Sequence, residues 1–427
     1  MDQGSVSWRL DRPLRILVIA PTGFFADYGC HVRIRGQMAA LADLGHTIRI
    51  VTYPSGREVD GLKTIRPPLW PQARTMPVGS SYRKLFFDAL LLPTALAAAQ
   101  RFPGGKPDII HAYLHEGALI GSILARHLRR PLVFDFQGSL TAEMLDHRFI
   151  SPTSSLLPPL CRLEGWIDHQ PQRIMASSSH AAGLLVDRYR VAPGRVVGLP
   201  DSVEPRDFRP SHQFPAALLD GLRRRLGLSP NRPVIVYLGL LATYQGIDRL
   251  LDALSRLRDQ QHRPFCLIMG FPNVQHYQRQ AEQLGLADHV LFTGAIPYET
   301  APTYLALGDL AVAPKLSDTE GSGKLLTYMA AALPVVAFDT PVQREYLGDL
   351  GFYAAAGDSG ALATAIVQAI KDPNTANRRA SLLRAKTIQQ YTWHHAARQI
   401  EHVYRQLLNR WQMEPMGRSE SHRNKGR

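Results

Sequence analysis

The sequence predicts an α/β protein built from two similar domains, each a parallel sheet covered by helices. Three observations lead to this fold class. The chain opens as strand, helix and strand over residues 15–52, which is the βαβ unit of a parallel sheet. The same pattern restarts at Val234, after a proline-rich polar stretch at 200–215. A length of 427 residues with 45% hydrophobic content is sufficient for two cores.

Short apolar runs bounded by polar loops define the predicted strands. The runs are nearly continuous rather than alternating, as expected for parallel strands that are covered on both faces. In the first half, strands are predicted at 15–20, 46–52, 61–66, 108–113, 131–136, 173–177 and 196–199. In the second half, strands are predicted at 234–238, 265–269, 290–292, 310–313 and 334–338.

The segments between these strands carry apolar residues at helical spacing. The helix at 82–101 is interrupted near Pro93, and Ser178 caps the helix after the strand at 173–177. The other predicted helices are 34–44, 117–127, 247–258, 324–332, 361–371 and 392–411. The resulting division is a flexible N-terminus at 1–12, domains at 13–212 and 213–390, a terminal helix at 391–412 and a disordered basic tail at 413–427.

The charge and the cysteines limit the function classes. The net charge is +13, which suits nucleic acid, anionic lipid or phosphorylated ligands. The arginines are scattered along helices without a nucleic-acid motif, so we expect no nucleic-acid partner. Cys30, Cys161 and Cys266 are far apart and odd in number, which argues against a disulfide framework and favours a reducing compartment.

The hydropathy pattern shows neither a secretory signal nor a membrane span. The N-terminus is polar, and the most apolar segment, 85–99, contains Asp88 and Pro93. We therefore expect a cytoplasmic protein that is soluble or peripheral to the membrane.

The stretch 313–347 contains the strongest candidate site. Its loop at 314–323 joins the end of a strand to the start of a helix, where free N–H groups and the helix dipole favour an anion. Lys324 adds a positive charge, so the sequence Glu-Gly-Ser-Gly-Lys predicts a phosphate site. An ATPase P-loop is not expected, because Asp318 and Leu325 stand where that motif needs Gly and Ser or Thr. The alternative is a polar loop that only caps its helix.

The first domain has a second candidate site. His111, His115 and Glu116 lie at the predicted carboxyl end of the strand at 108–113, where open α/β sheets bind ligands. Gly29 lies in the loop after the first strand, where backbone amides can approach a ligand. The alternative for either histidine is a structural role in the core. No metal-binding spacing of Cys and His is present, so no metal is expected.

An ordered series of motifs runs along nearly the whole chain. These are GHTIRIVT, PDIIHAY, RIMASS, PDSVEPRDF, YLGLLATYQGIDRLLDAL, CLIMGFPN, HVLFTGAI, EGSGKLLTYMAAALPVVAFDTP and YTWHHAARQIEHVY. In this order they resemble the family-4 glycosyltransferases of the GT-B fold. The resemblance implies two Rossmann-like domains facing across a cleft, the first on the acceptor side and the second binding a nucleotide sugar. The terminal helix would cross back to the first domain.

The resemblance also implies a reaction and a set of residues. The family transfers a sugar from a nucleotide sugar with retention and without a metal, so no cofactor is expected. Glu320 would contact the sugar hydroxyls, and His111 or His115 would lie near the reacting centre. The implied donor-binding residues are Gly29, Gln245, Gly270, Lys315, Gly321, Ser322, Gly323, Lys324 and Thr327, and the acceptor-side residues are Glu116 and Gln137.

Several positions depart from the family pattern. Thr327 replaces a second glutamate, Leu240 and Gln245 replace an arginine and a lysine, and Gln137 replaces a histidine. Each lost cation removes about 1.5–3 kcal/mol of charged hydrogen bonding unless Lys324 or Lys315 compensates. The alternatives to a transferase are therefore a catalytically silent GT-B protein that binds glycan or a partner enzyme, and a sugar-nucleotide epimerase.

The acceptor implied by the resemblance is a glycan or a lipid-linked sugar. Peripheral contact with an anionic membrane is a further hypothesis, because Arg74, Arg83 and Lys84 adjoin the apolar segment 85–92. The alternative is that this helix packs its apolar face into the first domain.

Overall fold

The computed structural model describes residues 12–68, 81–259, 263–317 and 319–413. Two parallel sheets lie one after the other along the chain, as predicted. The strands of the first sheet are β1 Arg15–Ala20, β2 Thr47–Thr52, β3 Thr64–Ile65, β4 Ile109–Tyr113, β5 Leu132–Phe136, β6 Arg173–Ala176 and β7 Val196–Gly198. Those of the second are β8 Val234–Leu238, β9 Phe265–Met269, β10 Val290–Gly294, β11 Leu310–Ala313, β12 Val335–Phe338 and β13 Phe352–Ala354.

Helices cover both faces of each sheet and bury its apolar strands. In the first half they are α1 Gly29–Asp43, α2 Tyr82–Gln100, α3 Leu114–Leu128, α4 Leu140–Asp146, α5 Leu157–Asp168 and α6 Ser179–Asp187. In the second half they are α7 Ala216–Arg225, α8 Ile247–Leu257, α9 Val274–Gln283, α10 Ala301–Leu305, α11 Gly323–Ala330, α12 Pro341–Leu347, α13 Ser359–Lys371, α14 Pro373–Gln390 and α15 Trp393–Met413.

The strand orders place one switch point in each sheet. The first sheet runs β3-β2-β1-β4-β5-β6-β7 and the second runs β10-β9-β8-β11-β12-β13. The chain therefore reverses its direction of winding between β1 and β4, and again between β8 and β11. Ligands of open α/β sheets bind outside the carboxyl ends of the strands at such points. The loop 314–322, which contains Glu320, follows β11 and so lies at the second switch point.

Two helices of the first domain begin three or more residues earlier than the sequence predicts. The helix predicted at 34–44 starts at Gly29, and the one predicted at 117–127 starts at Leu114. Gly29, His115 and Glu116 therefore belong to first helical turns rather than to loops. The strand predicted at 61–66 is shortened to Thr64–Ile65.

The last helix, α15, crosses back to the first domain. Its Trp393, Ile400 and Tyr404 join the core cluster that contains β1 and α1. A side chain at Gly36 of α1 would overlap the ring of Trp393, so this glycine permits the close packing.

The described part of the chain contains no helix that is long and apolar enough to cross a membrane. The predicted flexible N-terminus, with the exception of Arg12, and the predicted basic tail, with the exception of Met413, lie outside the described residues, as does Arg74.

Candidate active site

A cleft lies between the two domains, and the switch points of both sheets open into it. It is lined by loops and first helical turns from each domain, and every predicted site residue except His111 lies on its walls. The predicted residues brought together there are Gly29, His115, Glu116, Gln137, Gln245, Gly270, Lys315, Glu320, Gly321, Ser322, Gly323, Lys324 and Thr327.

Lys324 lies in the first turn of α11, and its side chain lines the cleft. Its Nζ donates to Gln245 Oε1 across 2.8 Å and to the hydroxyl of Tyr237 across 3.0 Å. Within the described residues no carboxylate forms an ion pair with it. Desolvation of the ammonium, followed by the charge of Lys315, lowers the pKa of Lys324 well below its usual value, although Glu320 opposes the shift. An anionic ligand would supply the missing negative charge.

The side-chain nitrogen of Lys324 lies close to the backbone of Gly239. Gly239, which follows β8, has φ +151°, and a Cβ there would lie 2.7 Å from Lys324 Nζ. The backbone conformation therefore favours glycine at this position, and the lysine would have to move for any larger residue.

Glu320 and Lys315 form an ion pair on the same loop. Lys315 Nζ lies 2.8 Å from Glu320 Oε2 and donates to the carbonyl of Gly321 across 2.7 Å. Ser322 is buried, and its hydroxyl has no hydrogen-bond partner among the described residues. Because unsatisfied buried hydroxyls are costly, this hydroxyl is a suitable contact for a ligand at the start of α11.

The remaining predicted donor-binding and acceptor-side residues differ in whether they have a hydrogen-bonding group available for a ligand. Thr327 donates its hydroxyl to the carbonyl of Lys324 at 2.7 Å, so its single donor is used within the helix. Gln137 has a side-chain nitrogen without a partner in the described ranges. Gly270 allows the chain after β9 to pass against Gly239, whose carbonyl oxygen would lie 2.0 Å from a Cβ at this position. Gly29 faces open space.

The wall from the first domain carries one lysine and two carboxylates. Lys84 Nζ lies 3.1 Å from Glu116 Oε1, so Lys84 faces the cleft and not a membrane, contrary to the sequence-based hypothesis for this residue. Glu143 of α4 lines the same wall. Burial raises the pKa of Glu143 to about 7, with Glu116 and Glu320 adding to the shift and Lys84 and His115 opposing it.

His115 belongs to a buried cluster at the edge of the cleft. Its Nε2 lies 3.3 Å from Asp168 Oδ1 and 3.7 Å from Glu164 Oε1. These three groups are the described residues that come closest to a metal site. Both oxygens of Glu164, however, accept hydrogen bonds from the N-terminus of α4. We therefore interpret the cluster as an ion pair supported by a second carboxylate.

The structure does not bring His111 to the cleft. It lies within β4 at 0% exposure, its Nδ1 contacts the hydroxyl of Tyr404 on α15, and its ring stacks on Tyr113. Burial lowers the pKa of His111 to about 4, and Arg33 adds to the shift while Asp135 opposes it. His111 is thus a neutral histidine of the core, because the crossing helix covers its strand.

Sequence reasoning missed an arginine that joins the first domain to the interdomain passage. Arg33 of α1 makes two hydrogen bonds to the carboxylate of Asp135, one to Asp201 and one to the carbonyl of Leu199. Asp201 in turn lies against Gly321, where a Cβ would be 2.5 Å from its Oδ2. The sequence did contain one sign of this network: Arg33 is a charged residue at a buried position of α1, one turn after Gly29.

Two family models match consecutive parts of the chain. The model of the glycosyl transferase 4-like domain matches residues 28–201, and the model of the glycosyl transferases group 1 matches residues 220–384. The chain belongs to the family-4 glycosyltransferases. The boundary between the two matches falls in the interdomain passage, and the second match contains the whole loop of Glu320.

The sequence of a named glycosyltransferase is similar to part of this chain, which is consistent with this family. A GDP-mannose-dependent α-(1-6)-phosphatidylinositol monomannoside mannosyltransferase from Mycolicibacterium smegmatis is 33% identical over 187 residues, which are 42% of this chain and 48% of that enzyme. The matched region thus spans about half the length of this relative.

Solved structures show the GT-B fold. A sucrose-phosphate synthase from Thermosynechococcus elongatus superimposes with a TM-score of 0.78 at 20% identity, covering 92% of this chain and 99% of its own. HepE from Anabaena, in complex with UDP-glucose, superimposes with a TM-score of 0.71 at 18% identity, covering 92% of this chain and 100% of its own.

Proposed function

We propose that this protein is a retaining glycosyltransferase that moves a sugar from a nucleotide sugar to a hydroxyl of a glycan or lipid-linked acceptor, without a metal ion. The main support for this proposal is the position of Lys324 and the absence of a negatively charged partner for it among the described residues. Its ammonium enters the cleft at the N-terminus of α11 and contacts only neutral partners among the described residues. A diphosphate is the ligand whose charge and size suit this position.

The leaving group of such a reaction gains negative charge as its bond to the sugar breaks. Lys324, the N-terminus of α11 and the hydroxyl of Ser322 would stabilise that charge, and such electrostatic stabilisation is usually the largest single contribution to catalysis. The chain therefore supplies by itself the positive charge that a metal ion provides in other transferases. Glu320, held by Lys315 at 2.8 Å, would accept hydrogen bonds from the hydroxyls of the donor sugar.

The acceptor would enter along the wall that carries Glu116, Glu143 and His115. The mycobacterial relative is named for a phosphatidylinositol monomannoside acceptor, which supports a lipid-linked sugar here. HepE binds UDP-glucose in its solved complex, which supports a nucleotide-sugar donor.

The start of α2 supports peripheral contact with the cytoplasmic face of a membrane. Tyr82, Leu85 and Phe86 are 74%, 69% and 50% exposed, and Arg83 between them is also exposed. The opposite face of the helix, with Phe87 and Leu91, packs into the first domain. An aromatic and aliphatic surface with a basic residue suits an anionic lipid interface.

Calorimetry with UDP-, GDP- and ADP-linked sugars, with and without a chelator, tests the proposal. We expect saturable binding of one donor that the chelator does not change. If well-folded protein binds none of these donors, the silent GT-B binder becomes the better account. The replacements at Leu240, Gln245 and Thr327 are the observations that favour this second candidate.

A further inference from the structure

The histidine at the edge of the cleft is nearly buried among groups that fix its position. His115 lies in the first turn of α3 and is 4% exposed. The rings of Phe134 and Phe136 of β5 contact it edge-on, with centroids at 5.2 and 5.4 Å. Its Nε2 lies 3.3 Å from Asp168 and 3.7 Å from Glu164, two carboxylates of α5. The ring therefore has little freedom to turn within its pocket.

The two carboxylates have different roles. Glu164 accepts from the N–H groups of Leu140 and Thr141 at 2.9 and 3.1 Å and from the hydroxyl of Thr141 at 2.5 Å, so it anchors the start of α4. Asp168 is 0% exposed, and neither of its oxygens has a hydrogen-bond partner among the described residues. Within those residues, His115 is the cation nearest to it.

A buried carboxylate with no donor is strongly destabilising unless a cation faces it. We place the proton shared by this pair on the imidazole, because Asp168 and Glu164 both stabilise the imidazolium, although Glu164 also raises the pKa of Asp168. Burial alone would lower the pKa of His115, but Asp168, with Glu164 and Glu116, outweighs it and raises the pKa to about 9.

We propose that Asp168 is a positioning residue that keeps His115 protonated at the wall of the cleft, so that His115 serves the transfer reaction as a fixed positive charge and not as a base. This rests on the function proposed above. The charged and titratable groups around His115 are Glu116 on its own helix, Lys84 on α2, Glu143 on α4, and Glu164 and Asp168 on α5; β5 contributes only aromatic rings.

A fixed imidazolium complements Lys324 on the opposite domain. The dipole at the N-terminus of α3 has the same sign, so the dipole and the imidazolium would act together on an oxygen that gains charge directly beside His115, on a wall that also carries Glu116 and Glu143. Glu143, with a pKa of about 7, is then the group on that wall that titrates near neutral pH.

The first test needs no turnover. The C2 proton of His115, assigned in the NMR spectrum by its loss in His115→Asn, is followed against pH in the full-length protein. We expect its midpoint near pH 9. A midpoint below pH 7 in the unmodified protein would overturn the proposal, whether or not any donor is turned over.

The second test uses the pH profile of kcat/KM. The active form carries the imidazolium, so activity is expected below the pKa of His115 and is lost as the pH rises through about 9. In Asp168→Asn this alkaline limb should move down by about 1–3 pH units, while Asp187→Asn, an exposed change on α6, should leave it in place. An unmoved limb in folded Asp168→Asn would contradict the role of Asp168, and an acid limb that follows the titration of His115 would show that it acts as a base.

Discussion

The ammonium of Lys324 donates to the side-chain oxygen of Gln245 across 2.8 Å. Gln245 occupies the position at which the related family carries a lysine, whereas Lys324 lies 79 residues later in the chain. The fold thus brings a positive charge to within hydrogen-bonding distance of the position at which the sequence had lost one. We propose that Lys324 takes the place of this missing cation.

Glu320→Gln should abolish transfer while leaving the protein folded. The amide cannot accept the hydroxyl hydrogen bonds of the sugar as a carboxylate does, but Lys315 keeps its 2.7 Å bond to the carbonyl of Gly321. Turnover and thermal unfolding are measured side by side, with the exposed Glu282→Gln as the control. Unchanged turnover would mean that the donor sugar binds elsewhere.

Arg33→Met should destabilise the protein far more than Arg35→Met, although both lie on α1. Arg33 is buried and bonded to Asp135 and Asp201, whereas the Arg35–Glu299 pair is 30% and 47% exposed. We expect losses of about 3–5 kcal/mol for the buried arginine and about 0–1 kcal/mol for the exposed one. Urea unfolding measures both, and equal losses would refute a structural role for the Arg33 network.

Glu143→Gln should raise stability above pH 7 but not near pH 4.5. The folded protein holds the proton of Glu143 up to a pKa of about 7, above the value of about 4.3 in an unfolded chain. This carboxyl therefore favours folding fully below the unfolded pKa, and that contribution is lost as the pH rises through 7. We expect a gain of about 2–4 kcal/mol at pH 8. Thermal unfolding at both pH values is the measurement, and an equal gain at each would contradict the assigned titration.

Leu85→Ser combined with Phe86→Ser should reduce flotation with anionic vesicles. These side chains are exposed on α2 beside Arg83, so their removal takes away apolar area available for the interface. Leu382→Ser with Ile388→Ser, two exposed apolar residues on α14 of the other domain, is the matched control. The membrane hypothesis is lost if the unmodified protein does not float or if both pairs behave alike.

The architecture followed from the sequence because parallel strands are short, apolar and easily delimited. The bounds of β1, β8, β9 and β11 coincide with the predicted ones. Helix α14, which the sequence analysis missed, is polar on most of its surface and therefore gives a weak periodic signal.

The site could be located from the sequence only in part. Glu320 and Lys324 could be found because they are close together in the sequence, where the loop after a strand meets the start of α11. The Arg33 network and the pairing of His115 with Asp168 join elements that are distant in the chain, so local pattern could not indicate them. His111 was misplaced because only the packing of Tyr404 from the far end of the chain shows that its strand is covered there.

Calorimetric titration of a nucleoside diphosphate and of the matching nucleoside tests the central claim most directly. In Lys324→Ala, diphosphate affinity should fall by about 10- to 150-fold, as expected for loss of about 1.5–3 kcal/mol, while nucleoside affinity stays unchanged. Gln245→Lys combined with Lys324→Ala returns a cation to the same place and should restore diphosphate binding. Equal losses for both ligands, with no recovery in the double variant, would show that Lys324 acts on the fold and not on a phosphate.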